Sequence, residues 1–260
     1  MEPVLLQYHY FSRFEKMRNI QVIIAYCGTA YNGWQIQPNG LGIQEVLQKG
    51  ISSITGEKTH LTASGRTDAG VHALGQSAHF FTDSSIPIDR FPVAINSKLP
   101  PDIRVLKAFE QPLDFHSRYS ARQKTYIYKI RQNKIADPFL YDQVYQLPYI
   151  VDWDLVNQLS KVFIGKYDFK AFMASGSAVK TTIREIKAIE LSQYDNITEI
   201  SFTGNGFLYN MVRILVGTLL EGAYRRTTNA DMKSILNSKE RSQAGPTAPA
   251  HGLYLKSVDY

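Results

Sequence analysis

One short segment of the chain combines ionisable side chains with the small residues of a tight loop. Residues 63–73 read Ala-Ser-Gly-Arg-Thr-Asp-Ala-Gly-Val-His-Ala, with Arg66 and Asp68 among glycine, alanine and serine. Small residues let a backbone turn sharply and let a ligand approach closely. A carboxylate held in such a loop can act as a nucleophile or as a general base. The same sequence also allows a plain structural role, in which Asp68 caps a turn and Arg66 is a surface cation.

A third charged residue lies where a charge is costly. Arg213 interrupts the apolar run at residues 211–216, which reads Met-Val-Arg-Ile-Leu-Val. A guanidinium on a buried helix face needs a carboxylate or a phosphate beside it. We predict that Asp68 is this partner. A structural pair with another acid, for example Glu221, is the alternative.

Other common catalytic signatures are missing from the sequence. It contains no P-loop, no His-Glu-x-x-His zinc motif, no Gly-x-Ser-x-Gly elbow and no dinucleotide-binding glycine fingerprint. His72 and His79 come nearest to a metal-ligand pair, but their spacing and the lack of carboxylate partners favour ordinary hydrogen-bonding roles. We therefore predict no metal ion and no cofactor.

The elements that would position these residues follow two periodicities. Residues 19–26 form a β-branched apolar run that predicts a buried strand, and residues 76–81 predict another. Between them, apolar residues recur at helical spacing from Ile43 to Ile54, and Gly56 follows as a stop signal. A strand, a helix and further strands with short connections indicate an α+β arrangement.

The second half of the chain repeats this order of elements. Residues 125–130 predict a strand, and residues 155–163 predict a helix. Two strands follow, separated by the turn signal Asp195-Asn196, and residues 208–224 predict a closing helix. We expect two related α+β halves that meet along a sheet, with a boundary near residues 111–120 and a cleft between the halves.

Composition excludes several classes of protein. The 260 residues include 44% hydrophobic residues, only 17 Gly and 11 Pro, and a formal net charge of +6, which suits a soluble globular chain rather than a disordered or collagen-like one. The single cysteine, Cys27, cannot form an internal disulfide, and no apolar run approaches the ~18 residues of a transmembrane helix. We expect a cytoplasmic protein without a membrane association. Residues 1–16 lack the basic start of a signal peptide, and we treat them as an N-terminal extension of uncertain origin.

The excess positive charge lies in one segment. No acidic residue occurs between Asp114 and Asp137, while six cations do: Arg118, Arg122, Lys124, Lys129, Arg131 and Lys134. A strand edge protected by cations would explain them. Tyrosines are interleaved with these cations, however, and stacking faces beside positive charges suit the splayed nucleotides of a nucleic acid. Strand alternation places Lys124 and Tyr126 on one face, and we predict Lys124 as a substrate-binding residue.

Several motifs together resemble one known family. They lie at residues 26–35 (YCGTAYNGWQ), 63–73 (ASGRTDAGVHA), 99–103 (LPPDI), 115–121 (FHSRYSA), 207–217 (FLYNMVRILVG) and 252–260. From residue 17 to residue 260 the chain resembles the bacterial tRNA pseudouridine synthase A (TruA-type) enzymes. One departure is Cys27, where the family more usually has Asp.

The resemblance implies a fold and a substrate. The fold would consist of two RRM-like (ferredoxin-like) halves, residues 17–114 and 115–260, which share an extended antiparallel sheet with helices on one face and an active-site cleft between them. The substrates would be uridines at positions 38 to 40 of the tRNA anticodon stem-loop, and the enzyme would be a homodimer.

The resemblance also implies a role for each site residue. Asp68 matches the family's catalytic aspartate, and Tyr126 matches its substrate-contacting tyrosine. Arg66 would assist base flipping or orient Asp68, and Arg213 would pair with that carboxylate. In pseudouridine formation a carboxylate can attack either the anomeric carbon of the ribose or the pyrimidine ring, and the sequence leaves both routes open.

Two other functions use some of the same residues. A non-catalytic RNA-binding or chaperone protein built from RRM-like halves would not need Asp68 and Arg213 to face one another, so a separation above ~6 Å would favour it. A carboxylate glycosidase would need a second acid beside Asp68.

Overall fold

The computed structural model describes residues 17–176 and 179–260, and the predicted N-terminal extension, residues 1–16, lies outside the described residues. Ten described strands form one sheet: β1 (Arg18–Tyr26), β2 (Thr62–Ala63), β3 (His72–Thr82), β4 (Ile103–Gln111), β5 (Gln123–Gln132), β6 (Tyr145–Leu147), β7 (Gly165–Asp168), β8 (Ile183–Tyr194), β9 (Ile197–Gly204) and β10 (Leu253–Asp259). The α-helices in these ranges are α1 (Ile43–Thr55), α2 (Phe91–Asn96), α3 (Trp153–Ser160), α4 (Met211–Arg225) and α5 (Asn229–Ser238). This architecture confirms the predicted α+β class.

The first half is built on the alternation of β1. Ile20, Val22 and Ile24 point to one face of the strand and are fully buried. Helix α1 packs its apolar stripe, which includes Leu47 and Ile51, into the same core. Its C-terminus is set by Gly56, which adopts the left-handed conformation that glycine takes without strain. The predicted strand and helix are both confirmed.

The second half has its own core beneath helix α4. Residues Ile200 and Phe202 of β9 pack there against buried residues of α3 and α4. The turn between β8 and β9 uses Asp195 and Asn196, both at positive φ, as the sequence predicts. Helix α4 begins at Met211 rather than at residue 208, because Asn210 has a φ of 58° and cannot belong to a right-handed helix.

The two halves meet at strand β10. The sheet order is β4-β1-β3-β10-β5-β9-β8-β7, with β2 added to β3 and β6 to β5. The pairs are antiparallel except for two, β10 with β3 and β5 with β6, so the predicted continuous sheet is mixed rather than wholly antiparallel. Leu253 and Leu255 lie two residues apart on β10, and one belongs to each core. Both cores and their helices therefore lie on one face of the sheet. The domain boundary at residues 114 and 115 stays a prediction, because β10 serves both cores.

A polar layer covers part of the opposite face. His79 of β3 is buried, and its Nδ1 accepts a hydrogen bond from the backbone N–H of Ser117 at 3.2 Å. Nδ1 therefore carries no proton, and the ring is neutral. The Tyr260 hydroxyl lies within hydrogen-bond distance of Ser77 Oγ (2.7 Å) and of Ser117 O (2.9 Å). This layer anchors the turn at residues 115–120 to the sheet.

The neutral state of His79 makes stability depend on pH. Burial, together with a smaller effect of nearby His116, lowers the pKa of His79 to about 4. In the unfolded chain the imidazole of His79 takes up a proton near pH 6.5. The contribution of the neutral ring to the free energy of unfolding is therefore complete above that pH, and it is lost as the pH falls toward 4. Between pH 7 and pH 4.5 the free energy of unfolding should fall by roughly 2 kcal/mol less in His79→Asn than in the wild type. Urea unfolding at both pH values measures this. A His60→Gln variant alters an exposed ring that makes only the smallest contribution to the lowered pKa of His79, so it should keep most of the dependence. An unchanged dependence in His79→Asn would contradict the assignment.

None of the helices in the described ranges has the length and apolar character needed to span a bilayer.

Candidate active site

The loop between β2 and β3 carries Asp68 and is fixed by the neighbouring loop at residues 28–35. The backbone N–H of Trp34 donates to Thr67 O at 3.0 Å, and the Thr67 hydroxyl lies 2.7 Å from the Tyr26 hydroxyl. A Cβ at Gly33 would lie 2.5 Å from Thr67 O, so this close approach requires glycine. The loop therefore holds Asp68 on an immobile backbone.

Asp68 faces Arg213 across the boundary between the two halves. Arg213 Nη1 lies 3.8 Å from Asp68 Oδ2, and the two side chains are 16% and 26% exposed respectively. The predicted pair is present. The alternative acid, Glu221, instead pairs with Arg225 at 2.6 Å on the surface of the same helix.

The guanidinium of Arg213 is held by two other groups. Its Nε donates to Ala248 O at 2.7 Å, and its Nη1 donates to Asn210 Oδ1 at 2.7 Å. These bonds fix the guanidinium at a distance from which it attracts the Asp68 carboxylate without a close hydrogen bond. The carboxylate accepts no hydrogen bond from any residue that the structure describes, so its lone pairs face the cleft unengaged. This also excludes the turn-capping role considered for its side chain.

Two opposing effects act on the Asp68 carboxyl. Burial raises its pKa above the ordinary value, and the positive charge of Arg213 opposes that shift. The result is a carboxylate that is partly desolvated, and hence reactive, yet still paired with a cation.

Tyr126 of β5 forms an aromatic wall of the same cleft. Its ring meets Phe207 edge-on, with centroids 5.2 Å apart. Burial raises the pKa of the Tyr126 hydroxyl, and the nearby Tyr26 and Asp68 raise it further. The phenol is therefore neutral, which suits stacking and hydrogen-bond donation and makes it a weak base.

Lys124 ties strand β5 to the Asp68 loop. Its Nζ donates to Ser64 O at 2.6 Å, and a Cβ at Gly65 would lie 2.7 Å from that nitrogen. Gln76 Nε2 donates to the next carbonyl, Gly65 O, at 2.9 Å. Burial lowers the pKa of Lys124 to about 8, with a further contribution from Arg118. The start of the loop is thus held by two side chains from two different strands.

Arg66 differs from these residues because it is exposed and forms no hydrogen bond or ion pair within the described ranges. It lines the cleft two residues before Asp68. A guanidinium without a protein partner at this position is available to an anionic ligand.

The cleft itself has a volume of about 1040 Å³ and takes its walls from both halves. Arg66, Asp68, Lys124 and Tyr126 all line it, and Asp68 is the only carboxylic acid among its described lining residues. Arg213 lies behind Asp68. No group of three His, Cys, Asp or Glu side chains in the described residues could hold a metal ion. The space accommodates a nucleotide that has left its helix.

Half of the cations in the basic segment around Tyr126 are engaged within the protein. Lys129 pairs with Glu199 at 3.3 Å, and Arg131 pairs with Asp137. With Lys124 bound to Ser64 O, three of the six cations have internal partners. The segment therefore does not form a single free strip of positive charge.

Comparison with known proteins identifies the family of this chain. A family model described as tRNA pseudouridine synthase matches residues 22–120 and 159–260, which include Asp68 and Arg213. The chain belongs to this tRNA pseudouridine synthase family. The resemblance found in the sequence is thereby confirmed, although Lys124 and Tyr126 lie between the two matched ranges.

Curated relatives of the family align along nearly the whole chain. The protein named tRNA pseudouridine synthase A from Caldicellulosiruptor bescii is 48% identical over 94% of this chain and 100% of its own length. Proteins of the same name from Acetivibrio thermocellus and Citrifermentans bemidjiense are 43% and 44% identical, covering 94% of this chain and 100% and 98% of their own lengths. Among solved structures, a chain of the crystal structure of a Cbf5–Nop10–Gar1 complex has a TM-score of 0.37 and 13% identity, covering 77% of this chain and 53% of that chain. A likeness this weak supports no argument about the fold.

Three groups that build this site were not identified from the sequence. Asn210 and the carbonyl of Ala248 hold Arg213, and Phe207 packs against Tyr126. An asparagine before a helix is a start signal, but here its side chain binds Arg213 instead of capping the helix. A backbone carbonyl 35 residues away leaves no sequence signal.

Proposed function

We propose that the chain converts uridine to pseudouridine at positions 38 to 40 of the tRNA anticodon stem-loop, with Asp68 as the nucleophile. One observation carries this proposal: a single carboxylate, unengaged by hydrogen bonds and 3.8 Å from a fixed guanidinium, faces a nucleotide-sized cleft beside an aromatic wall. The relatives named tRNA pseudouridine synthase A support tRNA as the substrate. The family's enzymes are isomerases, and the reaction needs no cofactor.

The reaction rearranges one nucleotide without adding atoms. The bond between ribose C1′ and uracil N1 breaks, a bond between C1′ and C5 forms, the proton on C5 leaves, and N1 gains a proton. Asp68 takes part by attacking either C1′ or the pyrimidine ring, and both routes pass through a covalent adduct that is later released. The detached uracil must stay in the cleft and rotate, which a concave site with an aromatic wall favours.

The remaining residues prepare this step. Extracting the uridine from its stack costs a few kcal/mol, and Tyr126 offers a replacement stacking face while Arg66 contacts the extruded nucleotide or its backbone. Arg213 keeps Asp68 anionic. Lys124 contributes to substrate binding by holding the loop and by adding positive charge to the wall of the cleft.

The two alternative functions lack the features that would favour them. A non-catalytic RNA-binding protein would not need Asp68 and Arg213 to face one another, and the separation above ~6 Å that would favour it is absent, since the two side chains lie 3.8 Å apart. A glycosidase would place a second acid beside Asp68, and the described lining of the cleft contains none.

The direct test uses anticodon stem-loop RNA labelled with tritium at uracil C5. Conversion of a target uridine releases the C5 proton, so tritium appears in water, and mapping the product assigns the position. Release from a stem-loop with uridines at 38 to 40, and none from a loop in which those positions carry cytidine, supports the proposal. No release from either RNA or from full-length tRNA would refute it.

We propose in addition that the Tyr126 hydroxyl relays the proton that leaves C5, and Tyr126→Phe tests this role. Phenylalanine retains the stacking face, so we expect KM to change less than twofold and kcat to fall about tenfold or more if the hydroxyl relays a proton. Steady-state tritium release measures both constants. Tyr128→Phe provides the matched control, because that hydroxyl binds Pro249 O in the second core. An unchanged kcat in Tyr126→Phe would restrict Tyr126 to stacking.

We further propose that the protein acts in the cytoplasm, which its composition favours, and that it is a homodimer, which the resemblance to the family implies. Light scattering on the purified chain measures the mass directly, and a monomeric mass at micromolar concentration would contradict the dimer.

A further inference from the structure

An exposed tyrosine is held in a fixed orientation next to the cleft. Tyr119 is 77% exposed, yet its ring packs on the imidazole of His116 with centroids 4.3 Å apart. His116 Nδ1 accepts the backbone N–H groups of Arg118 and Tyr119 at 3.1 and 3.3 Å. The ring is therefore preorganised without being buried.

The turn that carries this ring is anchored on several sides. Ser120 N donates to His116 O at 2.9 Å, and His116 N donates to Ser120 Oγ at 3.1 Å. Between them, Ser117 is bound to the buried His79 ring. Phe115 O accepts a hydrogen bond from Asn19 Nδ2 at 2.9 Å. A turn with this many bonds to the sheet loses little further entropy when its side chains bind a ligand.

A cation connects the exposed ring to the site. The guanidinium of Arg118 lies 5.8 Å from the centroid of the Tyr119 ring, and Arg118 also lines the cleft that contains Asp68. Within the described cleft lining, Asp68 is the only acid that could neutralise Arg118, and Asp68 already faces Arg213. The face beside Tyr119 is thus both aromatic and positive.

We infer that His116, Arg118 and Tyr119 form a binding surface for the RNA nucleotide next to the target uridine. The neighbouring base stacks on Tyr119, and Arg118 contacts the phosphate that joins this base to the target. When a uridine leaves its helix, the adjacent base loses a stacking partner, and an exposed aromatic ring replaces it. The inference rests on the proposed function, since it takes the RNA substrate from it.

The experiment places 2-aminopurine in anticodon stem-loop RNAs, one position at a time on either side of the target uridine. Stacking on a tyrosine quenches the fluorescence of 2-aminopurine. Binding of the wild-type chain should therefore strongly quench the 2-aminopurine at one of these positions. In Tyr119→Ala we expect loss of that quench and an increase in Kd of about tenfold, the factor that 1.4 kcal/mol of lost stacking produces. Tyr119→Phe should retain the quench and the wild-type Kd. Tyr119→Leu places an apolar but non-aromatic side chain there and should behave like Tyr119→Ala.

Controls separate stacking from other effects. Tyr224→Ala removes another exposed tyrosine, 75% exposed on helix α4, and should leave Kd and quench unchanged. An unchanged Kd and quench in Tyr119→Ala would overturn the inference, and so would equal rescue by leucine and phenylalanine. A change of oligomeric state in Tyr119→Ala would assign the ring to a contact between copies and would also overturn it. Tyr119-dependent quenching without tritium release by the wild-type chain would refute the proposed function while supporting this RNA-binding surface.

Discussion

Asp68→Asn is expected to abolish pseudouridine formation, with a loss of at least about four orders of magnitude in tritium release. An amide has nearly the same size as the carboxylate but cannot form the covalent adduct, so the loss should fall on kcat. RNA binding should persist because the other groups that line the cleft are unchanged. The folded state should also be nearly as stable as in the wild type, because burial already disfavours the charged carboxylate and Arg213 keeps its bonds to Ala248 O and Asn210 Oδ1.

The control for Asp68 is an acid outside the cleft. Asp114→Asn alters an exposed carboxylate before the turn at residues 115–120, and it should retain wild-type turnover. Single-turnover assays at saturating enzyme distinguish slow chemistry from weak binding. Turnover near the wild-type rate in Asp68→Asn would remove the nucleophile assignment and return the non-catalytic RNA-binding function to consideration.

Arg213→Met is expected to give the second largest effect, a loss of about 100-fold in kcat/KM at pH 7 together with a shift of the pH profile. The guanidinium opposes the rise in the pKa of Asp68 that burial causes. Without it the pKa rises further, so a larger fraction of Asp68 is protonated at a given pH. The acidic limb of the profile should therefore move to higher pH, and activity should recover partly as the pH is raised.

The pH profile distinguishes this role from a merely structural one. Arg225→Met, on the same helix, breaks the exposed pair with Glu221 and should leave the acidic limb in place. Arg213→Lys keeps the charge but cannot reproduce both the bond to Ala248 O and the bond to Asn210 Oδ1. Compared with Arg213→Met, it should bring the acidic limb back toward its wild-type position while kcat/KM stays low. An acidic limb that stays in place in Arg213→Met would show that this residue does not tune Asp68.

The sequence predicts the Asp68–Arg213 pair because an unpaired buried guanidinium is costly wherever its partner lies along the chain. A guanidinium within an apolar helix stripe must meet an acid, and the loop of small residues supplies one. Helix α1 and the turn at Asp195-Asn196 are predictable for a different reason, since their periodicity and turn chemistry are encoded in consecutive residues.

The junction of the sheet could not be predicted in this way. Strand β10 pairs with β3 through Tyr254 with His72 and Leu255 with Ala73, residues far apart along the chain. The pairing of the two strands spans only these two residue pairs, and nothing in either segment specifies its partner. The same limit applies to the bond between Lys124 and Ser64 O, because a lysine on a strand gives no indication of which carbonyl it reaches.

Strand β10 has a consequence for the order of events during synthesis. It is made after every other strand of the sheet, and β3 and β5 have no direct pairing without it. Until β10 docks, the loop carrying Asp68 and the strand carrying Tyr126 belong to two separate folding units, and closing so long a loop is slow. A nascent chain therefore lacks the complete cleft until β10 has been made and has paired with both strands.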